Sequence, residues 1–567
     1  MRTHYPRTPH LPWSPGATSD DVRLAGLTDL TGTEVVVTEK LDGENTTLYA
    51  DGLHARSLDS AHHPSRGRVK ALQGRIGPRI PAGRRICGEN MFARHSIPYE
   101  DLASHFYGFS VWDGDHCLGW DRTVAYLRDL GIPTPPVLWR GVFDARAERT
   151  LRALRLDTGR QEGYVVRPAE GFPAAAFGRR VAKWVRPRHV RTDTHWMHAA
   201  VVENALGPSA ALWDTRSGAP VDPAALAAAV GGAPGDAPAA LATADALDAL
   251  SLTGDDALDT LSLTGDDRLA GVLAALLHRT RRTALAPALA GPLGMPLARR
   301  IADLVGLAPS LHRPYPDEER RGGLARMSIA AALPVLHAVA GALAGTPEAR
   351  EQVEWSRLHA QEVREPDGLR EAFAGLGPAA ADRCTAQARE AYALGRISTA
   401  QEAVAATWRW RSGDFPRLVH LVGPSGSGKS TFGRGLRGTD TYVSLDGLRA
   451  ARGRRADQSA NADVLREGLR RLEAALVPGA TVVWDATSLN PRRRSLVHAV
   501  AHRRDALVTH AVAWVGEEEL TARNGRRVHP VPPEVLASQL RRFVPPYPGQ
   551  AHRTWYIGAG TTVEDRA

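Results

Sequence analysis

The sequence predicts a multidomain protein with an N-terminal α+β domain, a central all-α domain and a C-terminal α/β domain. With 567 residues the chain is too long for a single hydrophobic core. Up to about residue 200, short β-type runs alternate with turns, which is typical of an antiparallel α+β domain. Helical apolar spacing without strand signals then covers 267–405, and a strand–loop–helix order begins at Pro416.

The predicted domain boundaries follow these changes of pattern. The first domain spans 1–206, the helical domain 267–405 and the last domain 415–567. Between the first two, residues 207–266 are rich in Ala, Pro, Gly and Asp, and LSLTGDD occurs at 250–256 and again at 261–267. This segment shows no core-forming pattern, so we expect a linker with a tandem repeat.

Composition narrows the expected location and partners. No run approaches the roughly twenty apolar residues of a membrane span, and the N-terminus lacks the apolar region of a signal peptide, so we expect a cytoplasmic protein without a membrane partner. Cys87, Cys117 and Cys384 have no paired spacing, which argues against disulfides and a Cys-based zinc site. A net charge of +9 suits nucleic acid, although a coding bias toward Arg would also produce it.

Lysine is rare enough here to mark candidate chemistry. Only four of the 71 Lys and Arg residues are lysines, and the other 67 are arginines. A nucleophilic amine must lose its proton, which Arg cannot do. Three of the four lysines, Lys40, Lys183 and Lys429, lie in nucleotide-handling motifs. The fourth, Lys70 in GRVKALQGR, matches no motif.

The segment GPSGSGKS at 423–430 satisfies the P-loop pattern, between an apolar strand and a helix-compatible stretch. Its glycines let backbone N–H groups wrap phosphates at a helix N-terminus, Lys429 reaches the terminal phosphates, and the Ser430 hydroxyl can hold Mg²⁺. The alternative is a glycine-rich turn without nucleotide. The predicted ATP-binding residues are Gly423, Gly426, Gly428, Lys429, Ser430 and Thr431.

Charged residues after the P-loop indicate where a molecule that accepts a phosphoryl group from ATP would bind. Asp446 follows a strand and precedes Arg449, so the carboxylate can take a proton from a hydroxyl and the guanidinium can hold a phosphate. Asp485 ends a second strand and can bind Mg²⁺ through water. A cluster of guanidinium groups suits a lid over the transferring phosphate, or else is a solvated basic face: Arg523, Arg526 and Arg527.

At these residues, over about 415–555, the chain resembles the P-loop kinase fold of polynucleotide 5′-kinases. The resemblance implies that Asp446 is the general base, that Arg449 clamps the acceptor phosphate, and that one lid arginine acts on the transferring phosphate. Among the lid arginines we select Arg526. A helix N-cap is the structural alternative for Asp446.

In the N-terminal domain, KLDGEN places Lys40 at the edge of a turn after the strand EVVVTE. In a partly desolvated pocket a Lys can have a lowered pKa and attack the α-phosphorus of ATP, which would leave a Lys–AMP phosphoramidate. As an isolated hexamer the segment is also typical of a surface turn.

Further segments follow in order: HARSLD, GEN, FYGFSVWD, EGYVVR and VAKWVR. Over about 34–190 the ordered set resembles the covalent nucleotidyltransferase superfamily, in particular the ATP-dependent RNA ligases, and implies that fold. It implies that Lys40 is the adenylated nucleophile, that Glu89 contacts the ribose, and that Phe109 stacks on adenine. It further implies that Glu162 binds metal, Lys183 holds the α-phosphate and Arg56 positions the 5′-phosphate end. Phe109 can also be a core residue and Arg56 ordinary surface charge.

Two departures limit these resemblances. Such ligases often carry two lysines in the last motif, whereas here Lys183 has only Arg180 and Arg186 nearby. In the helical domain, VLAALLHR faintly resembles an HD-type metal helix, but Arg279 replaces the second ligand, so His278 is expected to be structural.

The sequence therefore predicts an RNA end-repair enzyme that uses ATP and Mg²⁺, with Mn²⁺ as an alternative metal. The kinase phosphorylates 5′-OH ends, and the ligase joins 5′-phosphate to 3′-OH ends or nicks. The helical middle is expected to be a spacer or a nucleic-acid platform. Two alternatives stay open: a DNA kinase-ligase, and a non-catalytic, nucleotide-gated RNA sensor.

Overall fold

The computed structural model describes residues 2–58, 63–157, 159–187, 200–231, 263–314, 317–451, 461–527 and 530–567. The chain divides into two compact units, Met1–Gly232 with Ser262–Leu269, and Ala233–Leu261 with Ala270–Ala567. The first copy of the LSLTGDD repeat, at 250–256, lies outside the described residues.

Two antiparallel sheets form the first unit. One has the strand order β10-β8-β1-β7 and the other β3-β2-β4-β5-β6-β9. The predicted antiparallel α+β domain is confirmed. The strands are β1 Glu34–Lys40, β2 Glu44–Tyr49, β3 Gly52–Ala55, β4 Arg84–Asn90, β5 Phe106–Asp113, β6 His116–Cys117, β7 Val137–Val142, β8 Gly163–Pro168, β9 Phe172–Pro173 and β10 Ala182–Val185.

The helices of this unit extend into the segment that we expected to be a linker. They are α1 Gly67–Ile76, α2 Trp120–Asp129, α3 Ala145–Arg152, α4 Phe177–Arg180, α5 Ala210–Ser217 and α6 Pro223–Gly231. In α5 and α6, Leu212 and Leu226 are buried. Asp266 of the second repeat copy pairs with Arg128 and Arg216, at 2.6 and 2.8 Å. The linker expectation is therefore wrong for 210–231 and for Asp266, because a few well-spaced leucines and charges suffice to pack an Ala-rich segment.

Residues 265–406 are helical, as predicted. The helices are α7 Gly265–Leu276, α8 Arg282–Leu293, α9 Met295–Leu307, α10 Asp317–Ala330, α11 Leu333–Leu343, α12 Pro347–Ala360, α13 Leu369–Phe373, α14 Pro378–Ala393 and α15 Ala400–Ala406. His278 follows α7, and its Nδ1 lies 2.7 Å from the carbonyl oxygen of Ala275, while Arg279 is exposed.

The C-terminal part is the predicted α/β fold. Its sheet has the order β12-β13-β11-β14-β15-β16, and every pairing is parallel except that of β16 with β15. The elements are β11 Arg417–Val422, α16 Lys429–Gly435, β12 Thr441–Ser444, α17 Leu445–Ala451, α18 Asn461–Ala475, β13 Thr481–Asp485, α19 Pro491–Arg503, β14 Leu507–Ala513, α20 Glu517–Gly525, α21 Pro533–Arg542, β15 Arg553–Ile557 and β16 Val563–Arg566.

The central helices pack against this sheet within the second unit. Arg299 on α9 pairs with Asp303, at 2.8 Å, and with Asp565 on β16, at 2.5 Å. The indole N–H of Trp514 donates to the carbonyl of Thr283 on α8, at 2.9 Å. The helical region and the P-loop sheet thus share one buried interior.

Among the described residues, no single helix has both the length and the apolar character to cross a membrane. The pair Glu319–Ala330 and Leu333–Leu343, bent by 103°, meets these criteria only when the two helices are taken together.

Candidate active sites

A cleft of about 770 Å³ opens in the first unit, lined by residues of both sheets. The four-stranded sheet contributes residues from β1, β8 and β10, and the six-stranded sheet contributes residues from β2, β4 and β5. The cleft brings together five of the predicted ligase residues from distant parts of the sequence: Lys40, Arg56, Glu89, Phe109 and Lys183.

Lys40 ends β1 opposite Gly163 of β8, and its ammonium group forms an ion pair with the carboxylate of Glu162. Burial by itself lowers the pKa of Lys40, but the carboxylates of Glu162, Glu89 and Asp42 outweigh burial, so the pKa is raised. The expected lowered pKa is therefore wrong. The sequence shows Asp42 two residues after Lys40, but it does not show that Glu162 and Glu89 also lie close to Lys40.

Lys183 differs from Lys40 in its electrostatic surroundings. Burial lowers the pKa of Lys183, and the charges of Lys40 and Arg56 lower it further, against the opposing effects of Asp21 and Glu162. Of the other cations near this motif, Arg180 pairs with Glu170, at 2.8 Å, and does not line the cleft. Arg186 is buried, with its backbone N–H on the carbonyl of Glu162, at 3.0 Å.

The two acidic residues next to Lys40 have different surroundings. Burial raises the pKa of the Glu89 carboxyl to about 8, against the lowering effect of Lys40. The carboxylate of Asp42 accepts hydrogen bonds from the backbone N–H groups of Ser96 and Ile97, at 2.8 and 3.1 Å. Asp42 therefore fixes the loop at 96–97 against the KLDG turn, a role that the sequence did not suggest.

Phe109 on β5 is half-buried and faces the cleft. The ring of Tyr5 meets it edge-on, with centroids 5.2 Å apart. The guanidinium of Arg167 lies 5.8 Å from the Phe109 ring centroid and donates to the Phe109 carbonyl. An aromatic face with one supported side suits a planar base. Tyr5 and Arg167 are additional candidates here, and only the Arg at the end of an apolar strand was visible in the sequence.

An N-terminal segment, residues 2–11, joins two walls of the cleft. His4 Nδ1 lies 3.0 Å from the carbonyl oxygen of Arg56. At the other wall, the N–H of Leu11 donates to the carbonyl of Lys183, at 2.8 Å, and the N–H of Lys183 donates to the carbonyl of Pro9, at 2.9 Å. Arg56 itself is exposed. Lys70 is exposed on α1 and does not line the cleft.

In the second unit, the P-loop connects β11 to α16, as predicted from its pattern. Gly426 and Gly428 have φ values of 85° and 86°, which other residues rarely adopt. The Lys429 side chain is buried, and its ammonium donates to the carbonyl of Pro424, at 3.4 Å. Burial lowers the pKa of Lys429, and Arg527 also lowers it, while Asp485 and Asp446 raise it.

Asp485 ends β13 beside the first turn of α16. The Ser430 hydroxyl donates to Oδ1 of Asp485, at 3.0 Å, and the Tyr442 hydroxyl donates to Oδ2, at 2.8 Å. A hydroxyl beside a carboxylate at a P-loop is a donor set that fits Mg²⁺. Tyr442 orients this carboxylate and was not singled out from the sequence.

Asp446 and Arg449 lie on α17, directly after β12. They form an ion pair of 2.6 Å, and the Asp446 side chain is 60% exposed. The Ser444 hydroxyl accepts the N–H of Gly447, at 3.2 Å, so Ser444 occupies the capping position that was the structural alternative for Asp446. Asp446 is therefore free of a capping role and accessible to an acceptor.

The three lid arginines differ in what they contact. Arg523 pairs with Glu519, at 2.6 Å, and donates to the Ser427 carbonyl of the P-loop, at 3.3 Å. Arg527 is half-buried and close enough to influence Lys429, whereas Arg526 is exposed at the end of α20. The selection of Arg526 is not supported by this geometry, and Arg527 replaces it as the candidate. The sequence RNGRR at 523–527 does not show which of its arginines lies closest to the P-loop lysine.

Two family models match the chain at these sites. Residues 33–185 match the RNA ligase family, and residues 418–546 match an AAA domain family. The chain therefore carries an N-terminal segment that matches the RNA ligase family model and a C-terminal segment that matches the AAA domain model. No curated protein matches the sequence.

Solved structures show weak likeness to parts of the chain. A Naegleria gruberi RNA ligase mutant with ATP and Mn is 20% identical, with 28% of this chain and 52% of that chain covered and a TM-score of 0.21. An archaeal ATP-dependent RNA ligase is 16% identical, with 32% and 48% covered and a TM-score of 0.24. A gluconokinase from Sinorhizobium meliloti is 21% identical, with 26% and 86% covered and a TM-score of 0.21. This chain spans about half the length of these RNA ligases.

Proposed function

We propose that the chain repairs RNA ends by two ATP-dependent reactions: a 5′-hydroxyl kinase in the AAA domain and an RNA ligase in the N-terminal domain. The observation that carries the proposal is the cleft lined by Lys40, Glu89, Phe109 and Lys183, with Glu162 paired to Lys40, inside the segment that matches the RNA ligase family.

In the ligase, Nζ of Lys40 gives a proton to the carboxylate of Glu162, its ion-pair partner, and attacks the α-phosphorus of ATP. An N–P bond forms, the bond from that phosphorus to the bridging oxygen breaks, and pyrophosphate leaves. Phe109 stacks on the adenine, Glu89 contacts the ribose, and Lys183 stabilises charge on the α-phosphate.

The RNA end then accepts the AMP. An oxygen of the 5′-phosphate, held by Arg56, attacks the adenylate phosphorus, and the Lys40 nitrogen leaves. The 3′-OH of the second end finally attacks the activated 5′-phosphate, a phosphodiester forms, and AMP departs.

In the kinase, Asp446 accepts the proton of a 5′-OH, whose oxygen attacks the γ-phosphorus of ATP as ADP leaves. Arg449 exchanges its pairing with Asp446 for the acceptor phosphate. Lys429 and Arg527 stabilise charge on the transferring group.

A divalent metal, Mg²⁺ or Mn²⁺, fits the oxygen donors of both sites. Glu162 would hold it in the ligase cleft, and Ser430 with Asp485 would hold it at the P-loop. When bound, such an ion neutralises phosphate charge.

The ligase half is tested with α-labelled ATP and denaturing electrophoresis. Wild type and Lys40→Ala are compared with Lys70→Ala, which removes an exposed lysine outside the cleft. We expect a covalent label on wild type and Lys70→Ala and none on Lys40→Ala. Label retained on Lys40→Ala rejects the nucleophile. Sealing of matched RNA and DNA nicks then identifies the polymer.

The kinase half is tested with γ-labelled ATP and a 5′-OH oligonucleotide. Asp446→Ala is compared with Asp463→Ala, which breaks a second exposed Asp–Arg pair three residues apart, with Arg466 at 3.4 Å. We expect Asp446→Ala to bind ATP but to lose 5′ phosphorylation, while Asp463→Ala keeps it. Unchanged turnover in Asp446→Ala removes Asp446 as the base.

A further inference from the structure

Three histidines meet on one face of the sheet inside the AAA domain. His420 on β11 and His510 on β14 are paired in register, and His498 on α19 packs against them. Each imidazole offers one nitrogen, and these three nitrogens lie within 4.8 Å of one another. Aliphatic side chains and Trp484 form the hydrophobic core on this face, and the buried Ser488 and Arg494 also border the histidines. Burial of so much polar surface in such a core is costly without partners.

The hydrogen bonds of this cluster leave nitrogens unused. Nε2 of His498 lies 2.8 Å from Nε2 of His510, and Nε2 of His420 lies 2.8 Å from the Ser488 hydroxyl. His420 and His510 are both fully buried. Among the residues that the structure describes, Nδ1 of His420 and Nδ1 of His510 have no hydrogen-bond partner. Buried polar atoms without partners are rare, and a bound ion is one of the arrangements that accounts for them.

We propose that His420, His498 and His510 form a binding site for a divalent transition metal ion, with Zn²⁺ as the representative. Imidazole nitrogens suit Zn²⁺, and tetrahedral ligation at about 2.0–2.1 Å requires nitrogens roughly 3.3 Å apart. Side-chain adjustments on the order of 1 Å reach this spacing. His498 is only partly buried and gives the ion a route from solvent.

The positive charge of Arg494 beside the cluster indicates what kind of fourth ligand the metal ion would take. The guanidinium of Arg494 lies close by and donates to the carbonyls of Ser488 and Val544, at 3.2 and 2.9 Å. The positive charge of Arg494 repels the metal ion. We therefore expect the fourth ligand of the ion, beside the three histidines, to be an anion such as hydroxide, which reduces the net charge of the site.

An ion here would act on the phosphate-binding loop. His420 lies three residues before Gly423, and its partner Ser488 lies three residues after Asp485. Metal binding would therefore tie β11, β14 and α19 together three residues before the P-loop begins. Because the ion binds the folded state, we expect the stability of this domain to rise with the logarithm of the free metal concentration once that concentration exceeds the Kd.

The test measures metal content and spectra of the full-length chain without nucleotide. After chelator treatment and addition of Zn²⁺, we expect one more equivalent of tightly bound metal in wild type than in His498→Gln or His510→Gln. His502→Gln, an exposed histidine on the same helix, is the matched control and should bind as wild type does. Equal metal content in wild type and both variants overturns the proposal.

A second variant guards against misfolding. His498→Cys keeps a ligand, so its Co²⁺ form should show an added sulfur-to-cobalt charge-transfer band beside the visible bands of wild type. ATP binding at the P-loop reports folding in every variant. A folded His498→Cys protein that binds Co²⁺ without this band also overturns the proposal.

Discussion

At the scale of one residue, Glu89 links protonation of the ligase cleft to folding. Burial raises the pKa of its carboxyl to about 8, well above the range of an unfolded Glu. The folded chain therefore holds a proton that the unfolded chain has released between about pH 4.5 and 8. The stabilisation from this proton is complete below the unfolded pKa and is lost as the pH rises through 8.

Glu89→Gln imitates the protonated carboxyl at every pH, so we expect it to flatten this dependence. In the Glu89→Gln variant, the Tm of the first unit should be a few degrees higher than in wild type at pH 9 and close to that of wild type at pH 4. A difference of about 1 kcal/mol corresponds to roughly 2–4 °C in a domain of this size. Thermal unfolding followed across this pH range measures the effect. Exposed Glu100→Gln is the control, and a parallel pair of curves for wild type and Glu89→Gln contradicts the assignment.

A second single-residue prediction separates the lid arginines. Arg527 influences Lys429, whereas Arg526 points to solvent. A guanidinium that contacts a transferring phosphoryl group contributes about 10³–10⁵ in rate in related chemistry. We expect Arg527→Ala to lower kcat for 5′ phosphorylation by at least about 10²-fold and Arg526→Ala by less than about threefold. Equal losses in the two variants would reject the distinction.

At the scale of an element, the N-terminal segment 2–11 should preorganise the adenine side of the ligase cleft. Tyr5 contacts Phe109 and Phe177 edge-on, at 5.2 and 5.3 Å, and such aromatic pairs contribute about 0.5–1.5 kcal/mol each. Tyr5→Ala should therefore raise KM for ATP in Lys40–AMP formation by roughly tenfold, while Tyr5→Phe keeps the rings and changes little. The prediction fails if Tyr5→Ala leaves this KM unchanged.

Elements with a strong local pattern could be predicted from the sequence, and contacts between distant segments could not. The strand 417–422 and the glycines at 426 and 428 carry their own backbone requirements, so the P-loop was predictable. Tyr5 carries no such signal, because its role depends on Phe109 in another strand. The predicted direction of the Lys40 pKa shift was wrong for the same reason. That direction depends on Glu162 and Glu89, which come close to Lys40 only when the chain folds.

At the scale of the whole molecule, the helical region from residue 270 onward belongs to the same compact unit as the P-loop sheet. Asp303 is fully buried and pairs with both Arg282 and Arg299, and Arg299 also reaches Asp565 at the end of the chain. Removal of one partner from a buried ion pair costs about 3–5 kcal/mol, which is a large share of the stability of a small domain. The match to the AAA family, 418–546, therefore covers less than the folding unit.

Because the folding unit is larger than the AAA match, a fragment that includes the central helices should be more stable than one that lacks them. A fragment of 270–567 keeps α8 and α9 against Trp514 and Asp565, so we expect it to fold and to bind ATP. A fragment of 415–567 contains the whole P-loop sheet but exposes the buried Trp514 ring and leaves Asp565 without Arg299. It should unfold at a temperature at least about 10 °C lower, or be recovered only in aggregates, because several kcal/mol are lost at once. Calorimetry and ATP binding of the two fragments measure this, with Lys429→Ala in the longer one as the control for binding. Equal stability of the two fragments would show that the central helices fold apart from the AAA domain and leave the spacer interpretation in place.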